Sequence, residues 1–521
     1  MWIVEILLER QEVDPGKLDN NGRTLLSYAA EGGCDGVVKV LVGGEEVDPD
    51  KAKSDGVTPL SYAARFGRKA MVKILLKRHE ADPSKPDNNG RTPLSYAAGS
   101  GHKEVVKTLL GREEINPDEP DNVGRTPLSY AAGSGHKEVV KMLLGREEVN
   151  PDEQDNEGRT PLSYAAEDRY WHFISGKHQE VVKILFGREQ VNPDKSDNNG
   201  RTPLSYAAGS GSKEVVKMLL GREEVDPDEQ DNEGRTPLSY ATVGGWEGVV
   251  EVLLGREEVD PDKADDDGRT PLSYVTGHKD WRSWYLAEGP FRRVVGMLFG
   301  REDVNPDKPD NHGRTPLSHA AERGMGEVVN TLLGRGEVNP DKPDNDGRTP
   351  LSYAAAQGRN QGRFSWLALK VVRLLLGQDR VNPDRPDNGG RTPLSYAAES
   401  RHEGVMRILL GREETYPDKP DNDGRTPASY AAEKGYKRLV DILLEREEVN
   451  PDKPDNDGRT PLSYAAGSGC KEVVKILLGR EEVNPDEPDD NGRTPLSYAA
   501  ESGSVGWSQH YLDGKRSAPK S

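Results

Sequence analysis

Two cysteines occur in 521 residues, Cys34 and Cys470. Two thiols rule out a disulfide framework as the source of stability, and free thiols suit a reducing compartment. No N-x-S/T sequon occurs. No apolar run approaches the ~20 residues of a membrane span. The first residues, MWIVEILLERQ, lack a basic region, and Glu5 interrupts their apolar run, so they do not read as a signal peptide. These absences give the expectation of an intracellular chain in the cytoplasm, with the nucleus as the alternative. Apolar residues are also scarce, at 33% against 31% charged, and mean hydropathy is −0.82. That balance alone leans toward disorder, because little surface can be buried against chain entropy. Basic clustering is missing too. Net charge is −19, spread evenly, where a nucleic-acid reader would carry a basic stripe. Nucleic acid is therefore excluded as an expected partner.

What the chain does have is repetition. GRTPLSYAAGSGHKEVVK stands at 90–107 and again, letter for letter, at 124–141. The glycine of G-R-T recurs at 22, 56, 90, 124, 158, 200, 234, 268, 313, 347, 390, 424, 458 and 492. Ten of the thirteen gaps are 34 residues, and the others are 42, 45 and 43. A fixed period means a row of like units, each burying a face on the next, and this overrides the disordered reading. Cys34 and Cys470 hold the same place in units twelve apart, too far for the ~7 Å a disulfide allows.

Each unit reads as two short helices and a turn. In the unit at 124, Thr126 is an N-cap and Pro127 a first helical residue with no N–H to lose. Leu128, Ala131 and Ala132 share an apolar face, and Gly133 and Gly135 stop the helix. In the second helix, HKEVVKMLLGR, Val139 and Leu143 share a face, as do Val140 and Leu144. Lys137, Glu138 and Lys141 point outward, and Gly145 ends the segment. Asn150 before Pro151 is extended, and Asp155-Asn156-Glu157-Gly158 is a tight turn. Neither helix reaches the ~12–15 residues needed for stability alone. Each buried Val or Leu is worth roughly 1.5–3 kcal/mol, and only stacking collects it.

The pattern D-x-x-G-x-T-P-L-x-x-A-A-x-x-G-H-x-x-V-V-x-x-L-L resembles the ankyrin repeat, over nearly the whole chain. The resemblance implies an all-α solenoid of stacked antiparallel helix pairs with β-hairpin or turn fingers, here with a 34-residue period. It also implies a role in binding other proteins. The unit is one residue longer than the usual ~33, and the family's TPLH histidine is serine here, as at Ser95 and Ser129. The style GREEVNPDKPDNDGRTPLSYAA is similar to long fungal ankyrin arrays, some attached to NACHT-type, NLR-like proteins. The alternative implied function is the ligand-sensing repeat portion of such a receptor.

The expected organisation is a partial repeat at 1–21, an array at 22–500 with insertions near 167–180, 277–293 and 356–370, and a polar tail at 501–521. Neither end reads as a polar cap, so association end to end or with a larger protein is expected.

Several constellations need weighing. Asp three before the register glycine and Arg one after it each recur in thirteen of fourteen units. Both fail together, at Lys53 and Val57. The expectation is an ion pair within the finger, against a charged ladder for a partner. Tyrosine follows TPLS in thirteen units, with His319 once. It is expected to pack between successive helices rather than form a recognition stripe.

The slot after the second glycine of G-x-G varies among His, Cys, Arg, Ser, Met, Tyr and Trp246. One candidate ligand per unit cannot converge on zinc, so it reads as a tolerant helix start. The DNDG turn at 455–458 lacks a calcium loop's end ligands, which fall on Lys453 and Tyr464. No P-loop, H-E-x-x-H, G-x-S-x-G or kinase set is present. No catalytic residue, metal ligand or cofactor is expected, and the chain reads as a non-enzyme.

The insertions hold the aromatics: Tyr170, Trp171 and Phe173; Trp281, Trp284, Tyr285 and Phe291; Phe364 and Trp366. Aromatics on protruding loops anchor interfaces; equally, they pack locally and lengthen the flanking helices. With Trp246 they are the candidate protein-binding residues. The expected function is a non-catalytic scaffold that docks partner proteins on the concave surface of fingers and first helices.

Overall fold

The computed structural model describes residues 6–7, 10, 14–43, 47–167, 176–277, 288–359 and 365–502. All regular structure among them is helical, and no strand occurs there. Each unit supplies a first helix beginning at TPLSY, such as Pro127–Gly133, and a second, such as Lys137–Leu143.

The first helix starts where the threonine puts it. Thr126 is extended, and its Oγ1 accepts from the Ser129 N–H at 3.2 Å. Pro127 follows at the first helical position. The serine that replaces the family's histidine completes this cap, its Oγ lying 3.3 Å from Thr126 Oγ1. Leu128, Ala131 and Ala132 are fully buried. The helix runs through Gly133, and the chain turns at Gly135, whose φ is 71°. Val139, Val140 and Leu143 of the second helix are buried against it.

The chain divides into two compact units, Met1–Asp260 and Pro261–Ser521. Within each, first helices pack on first helices of the adjacent repeats and second helices on second helices. The helix pairs in substantial contact belong to one repeat or to neighbours in sequence. The core is thus a file of small interfaces.

Polar links run along the same file. Asn122 Nδ2 donates to Asn88 O at 2.9 Å, and Asn156 Nδ2 donates to Asn122 O at 3.0 Å. Asn198 Nδ2 reaches Asn156 O at 2.9 Å, across the first insertion. The finger therefore keeps its register although this repeat is longer than its neighbours. The register glycine is required here. Gly124 has φ 82°, and a Cβ would stand 2.7 Å from Asn156 N. The finger itself closes by turns, Gly124 N–H to Asp121 O at 2.9 Å and Asp121 N–H to Arg125 O at 3.0 Å.

Second helices after the insertions are longer: Lys177–Phe186, Glu288–Leu298 and Ser365–Leu375. Insertion residues thus extend the helix into which they lead.

Candidate recognition surface

The fingers and first helices share one network, built on the register aspartate. Asp87 Oδ1 accepts from the Asn89 and Arg91 N–H groups, both at 2.9 Å. Its Oδ2 accepts from the Tyr96 hydroxyl at 2.6 Å. The carboxylate is spent on the turn and on the phenol nine residues later. The same tyrosine–aspartate contact recurs at Tyr206–Asp197, Tyr430–Asp421 and Tyr464–Asp455.

This corrects the expected ion pair. Arg235 and Asp231 do form it, at 2.8 Å. At Asp87 and Asp121, however, the arginine makes no ion pair with the aspartate, which already has three donors. The guanidinium instead stacks on tyrosine rings. Arg91 lies 4.3 Å from the Tyr96 centroid and 4.4 Å from that of Tyr130. Arg125 lies 4.2 Å from Tyr130 and 4.2 Å from Tyr164. The alternation continues through Arg159, Tyr206, Arg201 and Tyr240 in the first unit. It runs from Arg314 and Tyr353 to Tyr498 and Arg493 in the second. Each stacking is a cation–π contact that ties neighbouring repeats. Burial and the hydrogen bond to Asp121 push the Tyr130 phenol up to about 12, so it stays a neutral donor. Tyr96, Tyr206, Tyr353 and Tyr464 are buried, whereas Tyr28 in the first repeat is 45% exposed. His319, in the tyrosine place, puts Nε2 2.9 Å from Asp310 Oδ2.

The variable slot also carries structure that spacing alone did not reveal. In several repeats its side chain reaches back to a carbonyl at the end of the preceding first helix. His102 Nε2 lies 3.0 Å from Arg65 O, and His136 Nε2 lies 3.2 Å from Gly99 O. Trp246 Nε1 donates to Gly209 O at 2.8 Å, and Arg68 Nε donates to Glu31 O at 3.2 Å. The donor differs from repeat to repeat, and Met325 occupies the slot with none. Cys470 sits here too, and both cysteines are free thiols.

These rows of stacked units match a family pattern. The profile for Ankyrin repeats (3 copies) matches residues 2–87, 35–121, 76–155, 113–173, 144–231, 284–368, 368–453, 413–489 and 447–507. The chain belongs to the ankyrin-repeat family. No curated protein matches it. Ankyrin repeats are in general protein–protein interaction modules, so protein partners are the class to consider. Among the described residues no helix is long and apolar enough to cross a membrane. No group of three or more His, Cys, Asp or Glu among them could hold a metal ion.

The candidate binding residues fall in different settings on this ankyrin scaffold. Phe291 is buried at 9% exposure, inside the lengthened helix Glu288–Leu298. Trp246 is half-buried over the preceding repeat. Trp366 is 51% exposed, near the start of Ser365–Leu375. Tyr170, Trp171, Phe173, Trp281, Trp284, Tyr285 and Phe364 lie outside the described residues. The finger tips are exposed at Asn21, Val123, Glu157, His312 and Gly389. The asparagine two before the glycine, in eleven of fourteen units, was the available signal for the finger ladder.

Proposed function

We propose that the chain is a non-catalytic scaffold that binds partner proteins across its finger tips and first-helix face, the concave surface of the array at 22–500. The observation that supports this is the finger ladder. Asparagines link successive tips at 2.8–3.0 Å. The residue beside each is exposed and varies, from Val123 to Glu157 to His312. Fixed spacing with changing chemistry suits recognition, because little order is lost on binding. Trp366, 51% exposed at the start of Ser365–Leu375, is a further candidate contact in this reading.

A photoreactive side chain placed at Val123 tests the reading, with one at Lys141 on the outer helix as comparison. Defined protein adducts are expected from position 123 and not from 141. Equal labelling at the two positions, or labelling from 141 alone, would overturn the docking face.

A further inference from the structure

The register arginines differ in how their charge is met: some pair with a glutamate at the end of the first helix, Arg235 and Arg269 pair with finger carboxylates, and others pair with neither. Where the first helix ends in Ala-Ala-Glu, the glutamate takes the arginine eight residues earlier. Arg314 NH2 meets Glu322 Oε2 at 2.5 Å, and Arg425 meets Glu433 at 2.6 Å. Arg23–Glu31, Arg159–Glu167, Arg391–Glu399 and Arg493–Glu501 repeat the contact. All six Ala-Ala-Glu units make it.

Arg91, Arg125, Arg201 and Arg459 have glycine there, and of these Arg91 and Arg125, with Gly99 and Gly133, stand in adjacent repeats. Neither Arg91 nor Arg125 has an ion-pair partner among the described residues. Their buried Nε atoms lack hydrogen-bond partners, but so do those of the glutamate-paired Arg23, Arg159 and Arg314, so the missing carboxylate is what sets them apart. Their finger tips do not neutralise them either. Asn89 and Val123 stand where Glu233 pairs with Arg235 and Asp267 with Arg269. Tyrosine on both sides fixes each guanidinium.

We propose that Arg91 and Arg125 form a paired docking site for an acidic, extended segment of a partner protein. This rests on the protein-recognition reading above and names the chemistry it recognises. Six intramolecular glutamates show where the partner's carboxylates sit: over the guanidinium, in the space that Gly99 and Gly133 leave open. Both arginines lie against one ring, that of Tyr130, so their charges stand about 9 Å apart at most. Alternate side chains of an extended chain recur every ~7 Å, and flexible glutamate stems cover the difference. The fit is a carboxylate at every second position. Val123, 55% exposed on the same finger as Arg125, offers an apolar contact to the residue between. Stacked, pre-oriented guanidiniums lose little freedom on taking a carboxylate, which favours arginine over a mobile lysine at such a site.

The test fills the site with the protein's own solution. Gly99→Glu and Gly133→Glu recreate the Ala-Ala-Glu ending. Neither glycine has a positive φ, and an added Cβ meets only ordinary contact with Tyr130 or Tyr164, at 3.5 and 3.4 Å. Binding of a fluorescein-labelled peptide of alternating glutamate and glycine is followed by anisotropy on the full chain. A lysine–glycine peptide is the control. The glutamate peptide should bind, more weakly as salt rises, and the lysine peptide should not. The double substitution should weaken binding by about tenfold or more, the scale of a charge-assisted contact, with an unchanged circular dichroism spectrum. Arg91→Gln with Arg125→Gln, which keeps a planar group between the rings, should do the same. No binding to the intact chain, or undiminished binding in both variants, overturns the proposal. A captured partner without acidic-peptide binding would sink this inference alone; peptide binding without adducts from position 123 would sink the broader reading instead.

Discussion

At the scale of single residues, the finger works because its aspartate and arginine have separate assignments. Asp121 holds the turn and the tyrosine, and Arg125 is released to bridge two rings. His319 is the variant that exposes this logic. It is buried, and burial holds its pKa below the ordinary histidine value despite the hydrogen bond to Asp310. The sign follows directly. Between that lowered value and the unfolded ~6.5, the unfolded chain binds more protons, so stability falls as pH drops through this window. His319→Tyr removes the titration and restores the phenol–carboxylate contact of its neighbours. Urea unfolding should show the variant more stable than the parent, by a margin that widens from pH 7.5 to pH 5. A margin independent of pH would contradict this account.

The sequence pattern made the threonine cap, the proline, the buried Leu-Ala-Ala face and the register glycine legible, because each acts within one unit. It did not show where the aspartate and arginine turn. Their co-occurrence suggested a mutual contact, whereas both look to tyrosine, and one of those tyrosines belongs to the next repeat. Partners in a neighbouring unit leave no spacing signal inside a perfect repeat, since every unit changes together.

At the scale of elements, the second helices are joined end to side by arginine. Arg335 follows the helix Gly326–Leu333, and its NH2 donates to Phe299 O, at the end of the preceding second helix. It also lies 4.7 Å from the Phe299 ring centroid. A cation at carbonyls left open by a helix end is favourable, by roughly 0.3–1 kcal/mol where exposed. Arg222 and Arg412 make the same link at 2.6 Å. Arg335→Met should lower stability by about 1 kcal/mol, the hydrogen bond and the end charge together. Chemical denaturation measures it, and an unchanged midpoint would show that the contact adds nothing. The insertions are legible at this scale only in part. Their aromatic content marked them, but Phe291 shows such a residue inside a lengthened helix.

At the scale of the whole chain, the scarcity of apolar residues is resolved by repetition. Each unit needs only small apolar faces, because its neighbours bring matching ones, and the Asn, Arg–Tyr and slot contacts each join a repeat to the one beside it. Stability should therefore belong to interfaces rather than to units. The most direct measurement is far-UV circular dichroism with urea unfolding on segments of increasing length: residues 90–123, 90–157, 56–157 and 22–157. The single unit should be an unfolded chain, and helicity and the unfolding midpoint should climb with each neighbour added. A single unit that folds cooperatively alone, or a midpoint that does not change with length, would contradict the account.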